Sequence, residues 1–225
     1  MTETRNPVFT IGHSNHEPKE FLTLLQRHGV DVVVDVRSAP YSRYLPHFNK
    51  EHLAVTLKQA AIRYSFRGKE LGGQPADRAY YDDEGRVVYD RLAATAAFKG
   101  GIEYILDTAA VHPSTRSGRT AASPAQRLAL MCSEKEPLDC HRTLMVAQSL
   151  AARGVDVAHI HADGNLETHT DAVIRLLDKF KLPHNGDLFR SREAVIDDAV
   201  ERQTQRVGAR WQDQAAGRAE WERVP

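Results

Sequence analysis

The sequence predicts an α/β fold: a three-layer, Rossmann-like sandwich with a mostly parallel sheet of about five strands, followed by a helical C-terminal tail. Three observations support this fold. Strand-like runs alternate with helical patterns along most of the chain. The run VDVVVDV, at residues 30–36, is unbroken and rich in β-branched residues, which is typical of a strand buried on both faces. Hydrophobic residues make up 41% and charged residues 27%, as in ordinary globular proteins.

The predicted strands and helices follow one another in regular order. The strands are expected at residues 8–11, 30–36, 62–66, 127–132 and 155–162. The first helix has Pro18 in its first turn and ends at Gly29. The later helices are expected at about residues 50–61, 89–111 (in two pieces broken at Gly100 and Gly101), 140–153 and 169–179. Right-handed crossovers place every βα loop on one edge of the sheet, where such sheets bind ligands.

The α/β core is expected to form one domain over residues 1–186, with a polar helical extension over residues 187–225. The extension is rich in Arg, Gln and Glu and holds both tryptophans, Trp211 and Trp221. Within the core, residues 67–89 form a long Gly- and Asp-rich segment, and loops of that length are usually functional or disordered. Residues 114–123 have a linker-like composition, and we expect a mobile insertion there.

The charge balance and the cysteine count narrow the class of protein. Lys plus Arg and Asp plus Glu both count 30, so no global field would gather nucleic acid or an anionic membrane. No apolar run approaches the ~20 residues that a membrane helix needs, and no signal peptide is expected. We therefore expect a cytoplasmic protein without a membrane partner. Its two cysteines, Cys132 and Cys140, are expected to be thiols or ligands rather than a disulfide. The oligomeric state is not predicted.

Polar and reactive residues follow each predicted strand. Some have simple structural explanations: Ser14 can cap a helix, and Asp35 with Arg37 can form a weak ion pair. As a set at the carboxyl edge of one sheet, they favour a ligand site. In strand order they are His13 and Ser14; Asp35, Arg37 and Ser38; residues 67–73, including Gly72 and Gly73; Cys132 and Glu134; and His161 and Asp163.

Cys140 lies at the predicted start of a helix, within the stretch CSEKEPLDCHRT at residues 132–143. Unpaired backbone N–H groups and the positive end of the helix dipole stabilise a thiolate at such a position. Arg142, in the first turn, opposes the dipole, which makes sense if it helps the free amides bind an anion. The sequence therefore predicts an activated thiolate beside an anion site. For Cys132 the simpler alternative is a buried free cysteine at a strand end.

Four motifs resemble the domain of unknown function 488 family: TIGHS, DVRSAPYSR, LGG and CSEKEPLDCHR. The resemblance covers about residues 9–181. It implies a cytoplasmic, prokaryotic-type α/β domain without a generally established activity. The positions that match the family pattern are His13, Ser14, Asp35, Arg37, Ser38, Gly72, Gly73, Cys132, Glu134, Cys140, His141 and Arg142.

The first functional hypothesis is an enzyme acting on a small anionic, nucleotide-like substrate, although the sequence alone does not decide whether the chain is an enzyme. Cys140 would supply the thiolate, His13 or His141 would act as acid and base, and Asp35 would orient a His or an Arg side chain. Glu134 completes the candidate catalytic set. The candidate binding residues are Ser14, Arg37, Ser38, Gly72, Gly73 and Arg142.

Three alternatives stay open. In the first, Cys132, Cys140 and His13 hold iron or zinc; this ranks below a metal-free site because arginine is unfavourable beside a cation. In the second, the chain is a non-catalytic nucleotide- or nucleic-acid-binding module, and in the third the tail docks on a partner or on its own core. The second alternative would use a basic aromatic surface of Arg37, Tyr41, Arg43, Tyr44, Arg63, Tyr64 and Arg67.

Overall fold

The computed structural model describes residues 6–110, 112–116, 119–123 and 125–211 of the 225-residue chain. The strands in these ranges form two sheets. In chain order they are β1 (Val8–Gly12), β2 (Val32–Asp35), β3 (Arg63–Phe66), β4 (His112–Arg116), β5 (Arg119–Ser123), β6 (Leu128–Cys132), β7 (Val157–Ile160) and β8 (Leu166–Thr168). The main sheet has the order β3-β2-β6-β1-β7-β8, and β4 and β5 form a separate antiparallel ribbon.

Helices cover both faces of the main sheet. They are α1 (Pro18–Arg27), α2 (Lys50–Gln59), α3 (Gly68–Leu71), α4 (Tyr89–Ala93), α5 (Ala96–Ala109), α6 (Gln148–Ala151), α7 (His169–Phe180) and α8 (Arg192–Val207). A π-helical segment, Arg142–Ala147, leads directly into α6. The alternation along β2 shows the layering: Val33 packs with residues of α1 and α2, whereas Val32 and Val34 pack with residues of α5, α7 and α8.

The predicted α/β sandwich is confirmed, and the strand register places the site. The five predicted strands are all present and run parallel to one another, so their carboxyl ends meet at one edge. Gly12 is level with Cys132, and Asp35 is level with Met131. The antiparallel edge strand β8 was not predicted, because three residues are too few to show an alternating pattern.

The predicted break at Gly100 and Gly101 is wrong. The helices separate at Thr95, whose hydroxyl accepts from the Phe98 N–H at 3.1 Å and so caps α5. Gly101 lies within α5 at the contact with α3, where a Cβ atom would come within 2.7 Å of Leu71. The glycine therefore reflects close helix packing rather than a helix end.

Three other predicted segments contain helices, strands or turns within the described residues. The long segment after β3 contains α3, a 3₁₀ turn at Arg78–Tyr80 and a bridge between Tyr81 and Val87. The predicted insertion at residues 114–123 forms most of the β4–β5 ribbon, and its mobility stays a prediction. The predicted tail contains α8, while Trp221 lies outside the described residues. No helix in the described ranges is both long enough and apolar enough to cross a membrane.

A chain of hydrogen bonds joins two buried histidines between β1 and α7. The Thr10 hydroxyl lies 2.8 Å from His159 Nδ1, His159 Nε2 lies 3.2 Å from His169 Nδ1, and His169 Nε2 donates to Gln148 Oε1 at 2.7 Å. Burial, followed by the charge of the neighbouring histidine, lowers the pKa of His159 from 6.5 to about 2. Burial also lowers the pKa of His169 from 6.5 to about 4. Both imidazoles in this row of hydrogen bonds are therefore neutral.

This histidine pair predicts acid sensitivity. Below pH 6.5 these two histidines bind protons in the unfolded chain but not in the folded protein. The free energy of unfolding therefore falls as the pH drops toward 4. Replacing His159 with Gln should flatten this dependence by about 1.4 kcal/mol per pH unit, which corresponds to one proton. Urea unfolding at several pH values measures the slope. His52→Gln, at an exposed position on α2, controls for the loss of a surface histidine. An unchanged slope in His159→Gln would contradict the prediction.

Candidate active site

Four side chains with potential metal-ligand atoms meet at the carboxyl end of β6. Cys132 ends the strand and Glu134 follows it. Cys140 and His141 lie where a 3₁₀ turn, Pro137–Asp139, gives way to the π-helical segment. Their ligand atoms all lie within 4.8 Å of one another, and we call these four residues the Cys–His cluster.

The histidine of the cluster faces both sulfur atoms. His141 Nδ1 is 3.7 Å from Cys132 Sγ and 3.8 Å from Cys140 Sγ. Its other ring nitrogen, Nε2, donates to the Val36 carbonyl at 3.0 Å, which fixes the orientation of the ring. The Cys140 thiol donates to Glu134 Oε2 at 2.9 Å. Both cysteines are buried, whereas Glu134 is exposed at the rim.

Two glycines allow the chain segments to come this close together. A Cβ atom at Gly12 would overlap the Glu134 carbonyl, and one at Gly73 would lie 2.6 Å from His141 Cγ. Arg142 fixes the same loop from the other side, since it is fully buried and donates to the Glu134 carbonyl at 2.6 Å. Its second contact is with the Lys135 carbonyl at 3.4 Å.

The two thiols of the cluster have pKa values shifted in opposite directions. Burial alone would raise the pKa of Cys140, but the hydrogen bond from Cys132 and the positive charges of Arg142 and His141 hold it well below its usual value. Burial and the adjacent Cys140 raise the pKa of Cys132 well above its usual value. Although Glu134 as a residue is exposed, its carboxyl group lies against Cys140; the loss of water there, followed by the charge of Cys140, raises the pKa of Glu134. Without a bound cation, the first thiol to ionise is therefore Cys140.

A second network, centred on Asp35, lies beside the cluster. Asp35 receives two side-chain hydrogen bonds from Arg37, at 2.9 and 2.7 Å, and one from the Tyr64 hydroxyl at 2.7 Å. Arg37 also donates to His13 Nε2 at 3.2 Å and to the Phe48 carbonyl at 2.8 Å. Since Arg37 can only donate, His13 is neutral, and it donates through Nδ1 to the Ser14 carbonyl. Burial and the charge of Arg37 lower the pKa of His13 to about 4.

A cavity of about 510 Å³, including its open mouth, lies above the Cys–His cluster. Besides the cluster, its walls contain Arg37, Ser38, Ala39, Gly73, Gln74, Tyr89, Ser133, Asp139, Val207 and Ala209. Ser38 Oγ accepts from the Gln74 N–H at 2.9 Å, so its own hydrogen is free to donate. The Tyr89 hydroxyl has no hydrogen-bond partner among the described residues. Burial, followed by the nearby thiols, raises the pKa of Tyr89, so the hydroxyl keeps its proton.

The family model described as Domain of unknown function DUF488 matches residues 17–149 of the chain. That match spans more than half of the 225 residues. The chain belongs to the DUF488 family. The matched segment includes β2, β3, β6 and the whole Cys–His cluster, but it includes neither β1 with its TIGHS motif nor α8. No curated protein and no solved structure matches the chain.

The DUF488 protein brings together only some of the residues predicted from its sequence. Cys132, Glu134, Cys140 and His141 share the cavity with Arg37, Ser38 and Gly73. His13 and Asp35 do not line it but hold Arg37 in place, and Gly72 packs against Ser38. The Ser14 hydroxyl donates to Asn15, while His161 and Asp163 bond with Glu167 and Asn165 away from the cavity lining.

Two residue roles expected from the sequence need correction. His141, and not His13, faces the two sulfurs, because Arg37 occupies His13 Nε2. Arg142 does not line the cavity, because its guanidinium is buried against the loop carbonyls. Sequence order did not suggest Tyr89, Val207 or Ala209, since none of them follows a strand of the sheet.

The basic aromatic surface also differs from the expected one. Arg37 and Tyr64 are bonded to Asp35, and Arg67 lies 3.8 Å from the centre of the Tyr104 ring. Arg43 stacks on the exposed ring of Tyr44 at 4.9 Å. The seven residues therefore do not form one exposed surface.

The buried ion pair predicts a large loss of stability on mutation. Asp35 is 0% exposed, so Asp35→Asn leaves the buried Arg37 charge uncompensated and should cost roughly 3–5 kcal/mol of unfolding free energy. Asp82→Asn is the matched control, since Asp82 pairs with Arg86 at a position where both side chains are partly exposed. The control should lose far less, because water screens its charge. Urea unfolding measures both variants, and equal losses would contradict the prediction.

Proposed function

We propose that this DUF488 protein is a metal-dependent enzyme in which Cys132, Cys140 and His141 hold Zn²⁺ or Fe²⁺. The observation that carries the proposal is the approach of His141 Nδ1 to both sulfurs, at 3.7 and 3.8 Å. In tetrahedral coordination, with metal–sulfur bonds of about 2.3 Å and metal–nitrogen bonds of about 2.1 Å, such atoms are about 3.6 Å apart. The spacing therefore suits a cation at their centre.

The surroundings of His141 support the same role. A histidine that binds a metal through one ring nitrogen usually donates its other N–H to a carbonyl or carboxylate. His141 Nε2 donates to the Val36 carbonyl at 3.0 Å, and Gly73 packs against the ring. The ring is thus already held in the orientation that binding requires.

The charges near the cluster also favour a divalent cation. Two thiolates would neutralise it, and Glu134 would leave the occupied site with one negative charge. Arg142 lies directly behind the loop and supplies the balancing positive charge. Its position therefore supports the proposal, because the occupied site would carry the negative charge that Arg142 balances.

Glu134 is the residue we assign to proton transfer. Three protein ligands leave a tetrahedral metal one open position, which is the arrangement of catalytic zinc sites. Bound there, the cation would supply Lewis acidity and would activate water. Glu134 is exposed at the mouth of the cavity, so it can take a proton from water and pass it to a leaving group. The reaction class we propose is hydrolysis.

The cavity supplies donors for an anionic, oxygen-rich substrate. Arg37 uses four of its five N–H groups within the protein, and the fifth belongs to Nη1 of a side chain that lines the cavity. The hydroxyls of Ser38 and Tyr89 add two further donors. Substrate orientation would thus depend on groups that the Asp35 network holds still.

Metal binding is tested by reconstituting chelator-treated protein with Co²⁺ and measuring the stoichiometry and the sulfur-to-cobalt absorption band. One equivalent should bind. Cys140→Ser and His141→Gln should each lower the affinity at least tenfold, since each removes a ligand. His161→Gln is the control, because His161 bonds with Glu167 and does not line the cavity. No binding by the wild type, or equal loss in His161→Gln, would overturn the proposal.

The enzymatic part is tested with Glu134→Gln and a panel of ester, amide and phosphoester substrates. The variant should keep the cobalt spectrum, because the three ligands remain, and should lose roughly 100- to 10,000-fold in hydrolysis. If the wild-type metalloprotein hydrolyses none of the panel, the hydrolytic assignment is wrong even where the metal site stands.

The contact of Gly73 with the His141 ring predicts how metal affinity depends on the position of that ring. In Gly73→Ala the new Cβ would lie 2.6 Å from His141 Cγ, so the ring must move and metal affinity should fall roughly ten- to hundredfold. Gly100→Ala is the matched control, since a Cβ there meets nothing within 4 Å and alanine favours the helix. Competition with a chromogenic chelator measures both affinities. Equal affinity in the two variants would contradict the prediction.

A further inference from the structure

The cavity has a wall that comes from the C-terminal part of the chain. Val207, at the end of α8, and Ala209 line the same cavity as Cys132 and Cys140. The backbone around them pairs with the loop before α4: the Val87 N–H donates to the Ala209 carbonyl at 2.9 Å, and the Trp211 N–H donates to the Gly85 carbonyl at 2.6 Å. We call residues 207–211 the strap.

The strap is anchored beyond the cavity. The Trp211 ring packs edge-on against Tyr81, with 5.3 Å between ring centroids. The Tyr81 hydroxyl in turn donates to the Pro75 carbonyl at 2.8 Å, next to Gln74 in the cavity wall. Two cavity walls that are distant in sequence are therefore joined through one aromatic contact.

The helix before the strap also holds the floor of the cavity. Gln203 in α8 is fully buried and donates to the Leu138 carbonyl at 2.9 Å and to Asp139 Oδ1 at 2.8 Å. These acceptors belong to the turn that precedes Cys140. The C-terminal segment thus fixes the distance between the strap and the thiols.

We propose that Val207 and Ala209 set the size limit for molecules that reach the Cys–His cluster, so that the strap determines substrate specificity. The inference rests on the proposed function in taking the cluster as the reaction site. Ala209 contributes only a methyl side chain to the cavity wall, and Val207, in the same wall, is 37% exposed. Both lie outside the segment that matches the family, residues 17–149.

Thiol alkylation of the metal-free full-length protein tests the size limit. Small iodoacetamide and bulky fluorescein maleimide are compared, and mass spectrometry counts the adducts at Cys140. Ala209→Leu should slow the bulky reagent roughly tenfold more than the small one, because even one added methylene changes pocket selectivity measurably. Val207→Ala should shift the ratio in the opposite direction.

Control variants distinguish a change in the cavity wall from the effect of the same substitution elsewhere in the protein. Ala194→Leu, at an exposed site on α8, is the control for Ala209→Leu, and Val55→Ala, at an exposed site on α2, is the control for Val207→Ala. Neither control should alter the ratio of the two alkylation rates. Melting curves confirm that each variant is folded. An unchanged ratio in both Ala209→Leu and Val207→Ala, or equal changes in the controls, would overturn the proposal. Since no metal is present, a failure of cobalt binding leaves this result interpretable on its own.

Discussion

The site depends on one steric constraint: the loop after β6 lies against β1 with no side chain between them. A Cβ atom at Gly12 would overlap the Glu134 carbonyl, and that same carbonyl accepts from the buried Arg142. Held between a glycine and a guanidinium, the loop has little freedom to move, so Glu134 stays close to the thiol of Cys140. Gly73 has the corresponding role on the opposite side, where it admits the ring of His141. The approach of four potential ligand groups to within 4.8 Å of one another therefore depends on glycines that have no reactive side chain.

The two arginines near the cavity differ in what they stabilise. Arg37 is paired with Asp35, so it adds little net charge and acts as a rigid donor. Among the described residues, Arg142 donates only to carbonyl oxygens, so its full charge acts on the adjacent sulfur and lowers the pKa of Cys140. A buried guanidinium without a carboxylate partner is costly unless anions lie near it. Cys140, whose pKa is lowered by the charge of Arg142, is the neighbour that can supply this negative charge.

Much of the fold, and about half of the site, could be predicted from the sequence. The β-branched run of β2 indicates a strand buried on both faces of a parallel sheet. Parallel strands have their carboxyl ends at the same edge, so Cys132, Asp35 and Gly12 lie there together. The choice between His13 and His141 could not be made in this way, because it depends on which nitrogen Arg37 occupies. Val207 and Ala209 could not be predicted, because they lie at and just after the end of α8, far along the chain. Hydrophobic periodicity does not indicate which side of the core a helix end will contact. The position of Arg142 in the sequence argues against a nearby cation, but the hydrogen bonds of its guanidinium to the loop carbonyls can be seen only in the structure.

The two edges of the main sheet have a consequence for how copies of the protein meet. At one edge β8 has three residues, and at the other β3 has four, beginning with the exposed Arg63. Glu167, in the middle of β8, is bonded to Arg175 at 2.8 Å. Open strand edges promote aggregation when they are long, flat and apolar, and short charged edges prevent it. Both edge strands are therefore of the short, charged kind that disfavours strand addition from another chain.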